Sequence, residues 1–92
     1  MNLDALYSGR HGRRDFWQLK SWQRNVITAL LSTLTSDVAR RVVELYEERI
    51  AIKLEGGKAD EQTVWEAWQD AARKELGKNR GLDRYREPVD GN

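Results

Sequence analysis

Apolar residues recur at intervals of three and four along most of the chain, the spacing of helices that each bury one face. The first stripe runs from Phe16 to Leu34, and its one polar member is Gln23. Asp15 lies near the predicted start, where a carboxylate suits the positive end of the helix dipole. A second stripe begins at Val38, after two hydroxyl residues that can cap a helix.

The third stripe extends from Val64 to Leu76, between Asp60 as a capping residue and Gly77 as a stop. The pair Gly56-Gly57 separates it from the second stripe. No run of residues alternates apolar with polar as a half-buried strand does. The pattern therefore predicts an all-α fold, a small three-helix bundle with helices at about 13–34, 37–55 and 60–76.

The ends of the chain have a different character from the three stripes. A short N-terminal turn is predicted before a loop that contains Gly9 and Gly12. After Gly77 the sequence has little apolar content, and we expect a mobile C-terminal tail. The predicted organisation is a single helical domain over residues 1–77 and a flexible tail over residues 78–92.

Composition narrows the class of protein. Ninety-two residues accommodate one hydrophobic core, and the chain is 39% hydrophobic and 34% charged. It has no cysteine, so we expect no disulfide and a cytoplasmic location. The most apolar run, 26–34, is far shorter than the roughly 20 residues needed to span a bilayer, so no membrane segment is expected.

Charge is distributed unevenly although its sum is only +1. Residues 1–41 hold seven Lys or Arg against three Asp, whereas residues 42–77 hold five against nine acidic residues. Such asymmetry indicates either a binding surface or a basic half that packs against an acidic half. The acidic face of the third helix is predicted to contain Glu61, Glu66 and Asp70.

The N-terminal basic segment is the strongest functional signal. Cations alternate there with aromatic residues, a composition that suits phosphate contacts with base stacking or a protein hot spot. On one continuous helix, the spacing of four, three and four would place Arg13, Trp17, Lys20 and Arg24 on one face. The predicted partner-binding residues are Arg10, Arg13, Arg14, Trp17, Lys20, Trp22 and Arg24.

Tryptophan is abundant, with four residues in the chain. Trp65 and Trp68 are three apart and are predicted to share the core face of the third helix. Trp17 and Trp22 are five apart and cannot point the same way along a helix, so at least one of them should be partly exposed. An exposed tryptophan is a typical anchor for a partner.

Catalytic and metal-binding patterns are not found. The single histidine, His11, lies in a Gly/Arg loop, and its one local orienting partner would be Asp15. No zinc or calcium spacing is present, so no metal, no cofactor and no enzymatic activity are expected.

The sequence therefore favours a non-enzymatic adaptor or inhibitor that docks on a larger protein, including a nucleic-acid-processing enzyme. Small cysteine-free helical proteins of this kind are typical of phages and mobile elements, and an acidic helical face can imitate a nucleic-acid backbone. The alternative is a nucleic-acid-binding accessory protein that uses the basic N-terminal segment. The wide apolar stripes also permit a homodimer.

Overall fold

The computed structural model describes residues 15–54, 60–77 and 80–85. Three α-helices lie in these ranges: α1 (Ser21–Thr33), α2 (Ser36–Leu54) and α3 (Glu61–Leu76). A short 3-10 helix, Leu82–Arg84, follows them. The described residues contain no strand, so the predicted all-α three-helix architecture is confirmed. None of their helices combines the length and the hydropathy that crossing a membrane requires. The predicted N-terminal turn falls outside the described residues.

The predicted caps and stops lie where the helices begin and end. The Thr35 hydroxyl accepts a hydrogen bond from the Val38 backbone N–H, 3.3 Å away, at the start of α2. The Asp60 carboxylate accepts one from the Thr63 backbone N–H at 2.8 Å, which lowers the pKa of Asp60. Gly77 ends α3 with a φ of 92°, in the region that favours glycine.

The first helix begins later than the apolar spacing predicts. Residues 15 and 16 are helical, but the chain then turns over residues 17–20, and α1 starts at Ser21. The Gln23 side chain accepts a hydrogen bond of 2.8 Å from the Lys20 backbone N–H and so stabilises the new helix start. The periodicity conceals this break because side chains on both sides of it reach the same core: Phe16, Leu19, Ile27 and Leu31.

All three helices and both flanking segments contribute to one hydrophobic core. Trp65 and Trp68 are both buried, as their spacing predicts. The helix α3 supplies six of the core's buried apolar residues and α2 supplies five. The buried apolar residues of the core are Phe16, Leu19, Ile27, Leu31, Ala39, Val42, Val43, Tyr46, Ile50, Val64, Trp65, Ala67, Trp68, Ala71, Ala72 and Leu82.

A stacked aromatic pair with a buried carboxylate lies at the centre of the core. The rings of Tyr46 and Trp68 are 4.2 Å apart between centroids, with planes 11° from parallel. The Tyr46 hydroxyl donates a hydrogen bond of 3.0 Å to Asp15, whose exposed fraction is only 3%. Burial, reinforced by the Asp15 charge, raises the pKa of Tyr46. Asp15 is therefore a core residue and not a solvated carboxylate at a helix start.

Residues 80–85, which the sequence assigned to a flexible tail, lie against α3. Leu82 is completely buried, and the Arg73 guanidinium makes two hydrogen bonds to the Asp83 carboxylate, of 2.6 and 3.0 Å. A Cβ atom at Gly81 would lie 3.2 Å from the Gly77 carbonyl oxygen and 3.3 Å from backbone atoms of α3, which is tighter than most Cβ contacts, so glycine suits this close approach. The folded unit consequently extends beyond Gly77.

Replacing Tyr46 with Phe should lower the free energy of unfolding by about 1–3 kcal/mol at neutral pH, because a buried carboxylate loses this hydrogen bond. The pKa of Tyr46 is raised above its ordinary value of 10.0, so the unfolded chain ionises first. The contribution of Tyr46 to the free energy of unfolding is therefore full below pH 10 and is lost as pH rises further. Tyr46→Phe should reduce this loss of stability at alkaline pH. Urea unfolding followed by circular dichroism checks both effects, with the exposed Tyr85→Phe as control. Equal stability of wild type and Tyr46→Phe would contradict the assignment.

Replacing Leu82 with Ala should lower the free energy of unfolding by about 2–4 kcal/mol, because it leaves a cavity where a leucine was fully buried. The exposed Arg80→Ala is the control and should change stability little. Urea unfolding again provides the measurement. If both substitutions cost the same small amount, residues 80–85 do not belong to the core.

Candidate interaction surface

Trp17 is the most exposed large apolar side chain of the described residues, with 62% of its surface accessible. It lies in the turn that precedes α1, directly after the buried Phe16. The two rings meet edge to face, with centroids 6.0 Å apart and planes at 80°. The Trp17 indole is thus exposed to solvent, while the neighbouring Phe16 anchors the turn in the core.

Arg24 covers part of the exposed indole. Its guanidinium carbon is 5.0 Å from the centroid of the Trp17 ring, a cation–π contact. The same guanidinium donates hydrogen bonds to the Leu19 carbonyl and, at 3.2 Å, to the Ser21 hydroxyl. Arg24 therefore links the turn to α1 and limits the orientations open to the tryptophan.

Lys20 belongs to the turn itself, and it faces α3. Its ammonium is 3.9 Å from the Glu61 carboxylate, and the buried Gln23 side chain donates a 3.0 Å hydrogen bond to the same carboxylate. Gln23 thus connects the start of α1 with the start of α3. In the sequence, Gln23 can be recognised because it is the one polar residue of an apolar stripe. We call Trp17, Lys20 and Arg24 together the Trp17 surface.

The predicted partner-binding residues do not form a single helical face. Lys20 and Trp17 belong to the turn, and Arg24 belongs to α1, yet folding brings Arg24 onto Trp17. Trp22 is half-buried, and its ring lies 5.3 Å from that of Trp65, so it packs between helices. One exposed tryptophan of the pair was expected, and it is Trp17. Arg10, Arg13 and Arg14 lie outside the described residues.

The predicted acidic residues of α3 lie beside cations of other segments. Glu66 is 3.6 Å from the Lys53 ammonium, and Asp70 is 2.9 Å from the Arg49 guanidinium. Glu61 faces Lys20, as described above. Two of these pairs lie within residues 42–77, and only the pair between Lys20 and Glu61 joins the basic half to the acidic half. The three carboxylates do not form an open acidic patch.

The described residues offer no metal-binding cluster. Within ranges 15–54, 60–77 and 80–85, no group of three or more His, Cys, Asp or Glu is arranged to hold an ion. His11, the one histidine, lies outside these ranges.

Replacing Arg24 with Ala should release the Trp17 indole without unfolding the protein, because the cation–π contact contributes only about 0.5–1 kcal/mol at an exposed site. We expect the Trp17 indole N–H resonance to shift and sharpen in an NMR spectrum, while the resonances of buried Trp65 and Trp68 stay in place. Arg40→Ala, on an exposed part of α2, is the matched control. An unchanged Trp17 resonance would show that Arg24 does not hold the ring.

No family model matches this chain, and no curated protein or solved structure shows significant similarity to it.

Proposed function

We propose that this chain is a non-enzymatic adaptor or inhibitor that docks on a larger protein through the Trp17 surface. A nucleic-acid-processing enzyme is one class of partner that such a regulatory protein would control. The observation that carries the proposal is that Trp17 is 62% exposed while its neighbour Phe16 is buried in the core.

The composition of the surface supports a protein partner. Tryptophan and arginine are the residues most enriched at binding hot spots, and here Arg24 lies directly over the Trp17 ring. The Trp17 ring makes an edge-to-face contact with Phe16 and a cation–π contact with Arg24, and both contacts restrict its motion. Little conformational entropy is then lost when a partner encloses the indole, and a preorganised anchor binds more tightly for that reason.

The cations of the Trp17 surface support nucleic-acid binding less well than protein binding. Lys20 faces Glu61, and the Arg24 guanidinium donates hydrogen bonds to Leu19 and Ser21. Phosphate binding draws its affinity from protein cations that replace the counterions condensed on the nucleic acid, and these two cations already have partners within the chain. The alternative of a nucleic-acid accessory protein therefore depends chiefly on Arg10, Arg13 and Arg14, outside the described residues.

The test is a tagged pull-down from the native host with wild type, Trp17→Ala and Tyr85→Ala. Tyr85 is an exposed aromatic residue of another segment and serves as the matched control. Each sample is treated with nuclease and washed at low and then high salt, and the retained proteins are identified by mass spectrometry. A hot-spot tryptophan contributes about 2 kcal/mol or more, so Trp17→Ala should weaken capture about thirtyfold.

The proposal is supported if one protein survives nuclease and high salt with wild type and Tyr85→Ala and is lost with Trp17→Ala. It is overturned if only nucleic acid is captured and salt removes it, because phosphate contacts weaken steeply with ionic strength. Retention of the same partner by Trp17→Ala would also overturn the assignment to this surface.

A further inference from the structure

Arg24 is the one charged residue in the sequence of α1, and its surroundings along the chain are poor in carboxylates. Between residues 5 and 36 the one acidic residue is Asp15. Asp15 is buried in the core, where it accepts the hydrogen bond from Tyr46. Within the described part of the chain, no carboxylate forms an ion pair with Arg24. The positive charge on the Trp17 surface at this position is therefore not balanced by those residues.

The Arg24 guanidinium also retains hydrogen-bond donors. A guanidinium has five N–H donors. One terminal nitrogen, Nη1, donates to the Leu19 carbonyl, and the other, Nη2, donates to the Ser21 hydroxyl. Both acceptors are neutral, and the described residues offer no further acceptor, so three of the five donors remain. A carboxylate can accept two parallel N–H bonds from such a fork, a geometry that guanidinium groups favour.

The Trp17 indole and the Arg24 charge form one contiguous site. The guanidinium carbon is 5.0 Å from the centroid of the ring, so a pocket that encloses the indole also covers the guanidinium. A cation that loses its hydration without gaining a counter-charge is costly. Lys20, the other cation of the Trp17 surface, has a counter-charge within the chain because it faces Glu61. The missing counter-charge is thus the one for Arg24, and the partner has to supply it.

We propose that the partner protein receives Trp17 in an apolar pocket with an aspartate or glutamate at its rim, and that this carboxylate pairs with Arg24. The inference rests on the proposed function and specifies the chemistry of its partner. One guanidinium with three remaining donors suits one carboxylate, whereas nucleic-acid affinity is the sum of several phosphate contacts. The counter-charge is therefore assigned to a protein carboxylate and not to a phosphate.

The first test converts the contact at Arg24 into a covalent bond. Arg24→Lys keeps the positive charge and supplies an amine, which a carbodiimide joins to an adjacent carboxylate as an amide. The full chain with this substitution is mixed with nuclease-treated extract of the native host and cross-linked, and the joined peptides are identified by mass spectrometry. We expect a link from position 24 to an Asp or Glu of the protein that wild type retains and Trp17→Ala loses. Arg40→Lys, exposed on α2, is the matched control and should give no link to that protein.

The outcomes of this test separate the inference from the proposed function. If a protein is captured through Trp17 but position 24 joins none of its carboxylates, the inference fails and the proposed function stands. If no retained protein depends on Trp17, both fail.

A charge exchange with the purified partner separates ion pairing from a role of Arg24 in orienting the ring. Arg24→Glu should weaken binding by about tenfold or more, because it places two carboxylates together. Changing the cross-linked partner carboxylate to Lys should weaken the binding of wild type and restore most of the binding of Arg24→Glu, since the two charges are then opposite again.

Isothermal titration calorimetry measures these affinities, and circular dichroism confirms that each variant is folded. Arg40→Glu is the control for a charge reversal outside the Trp17 surface and should change the affinity little. If the exchanged pair binds no better than either single change, Arg24 only orients the Trp17 ring and the assignment of a partner carboxylate is wrong.

Discussion

The hydrogen bond from Tyr46 to Asp15 is the constraint on which the rest of the structure depends. Asp15 is buried, and a buried carboxylate is costly unless hydrogen bonds such as that from Tyr46 satisfy it. Tyr46 belongs to α2 and stacks on Trp68 of α3, so one side chain joins three parts of the chain. This contact positions the segment that carries Phe16 and thereby places Trp17 outside the core.

Charge pairing decides which surfaces remain available. The carboxylates Glu61, Glu66 and Asp70 of α3 face cations of α2 and of the turn before α1, so they are paired within the molecule. Individual exposed ion pairs contribute little to stability, usually below about 1 kcal/mol. Their consequence for function is larger, because they leave the tryptophan in the turn as a distinctive surface.

The Trp17 surface is a single convex anchor next to a cation, which suits insertion into a pocket of a larger partner.

The sequence by itself determined the three helices, the stop at Gly77, the burial of Trp65 and Trp68 and the exposure of one N-terminal tryptophan. These features follow from local spacing and capping, which neighbouring residues control. Only the tertiary structure decided that the first helix breaks before Ser21, that Asp15 and Leu82 are core residues, and that the acidic residues of α3 are paired. Each of these depends on which distant segments meet, and helical periodicity contains no information about that.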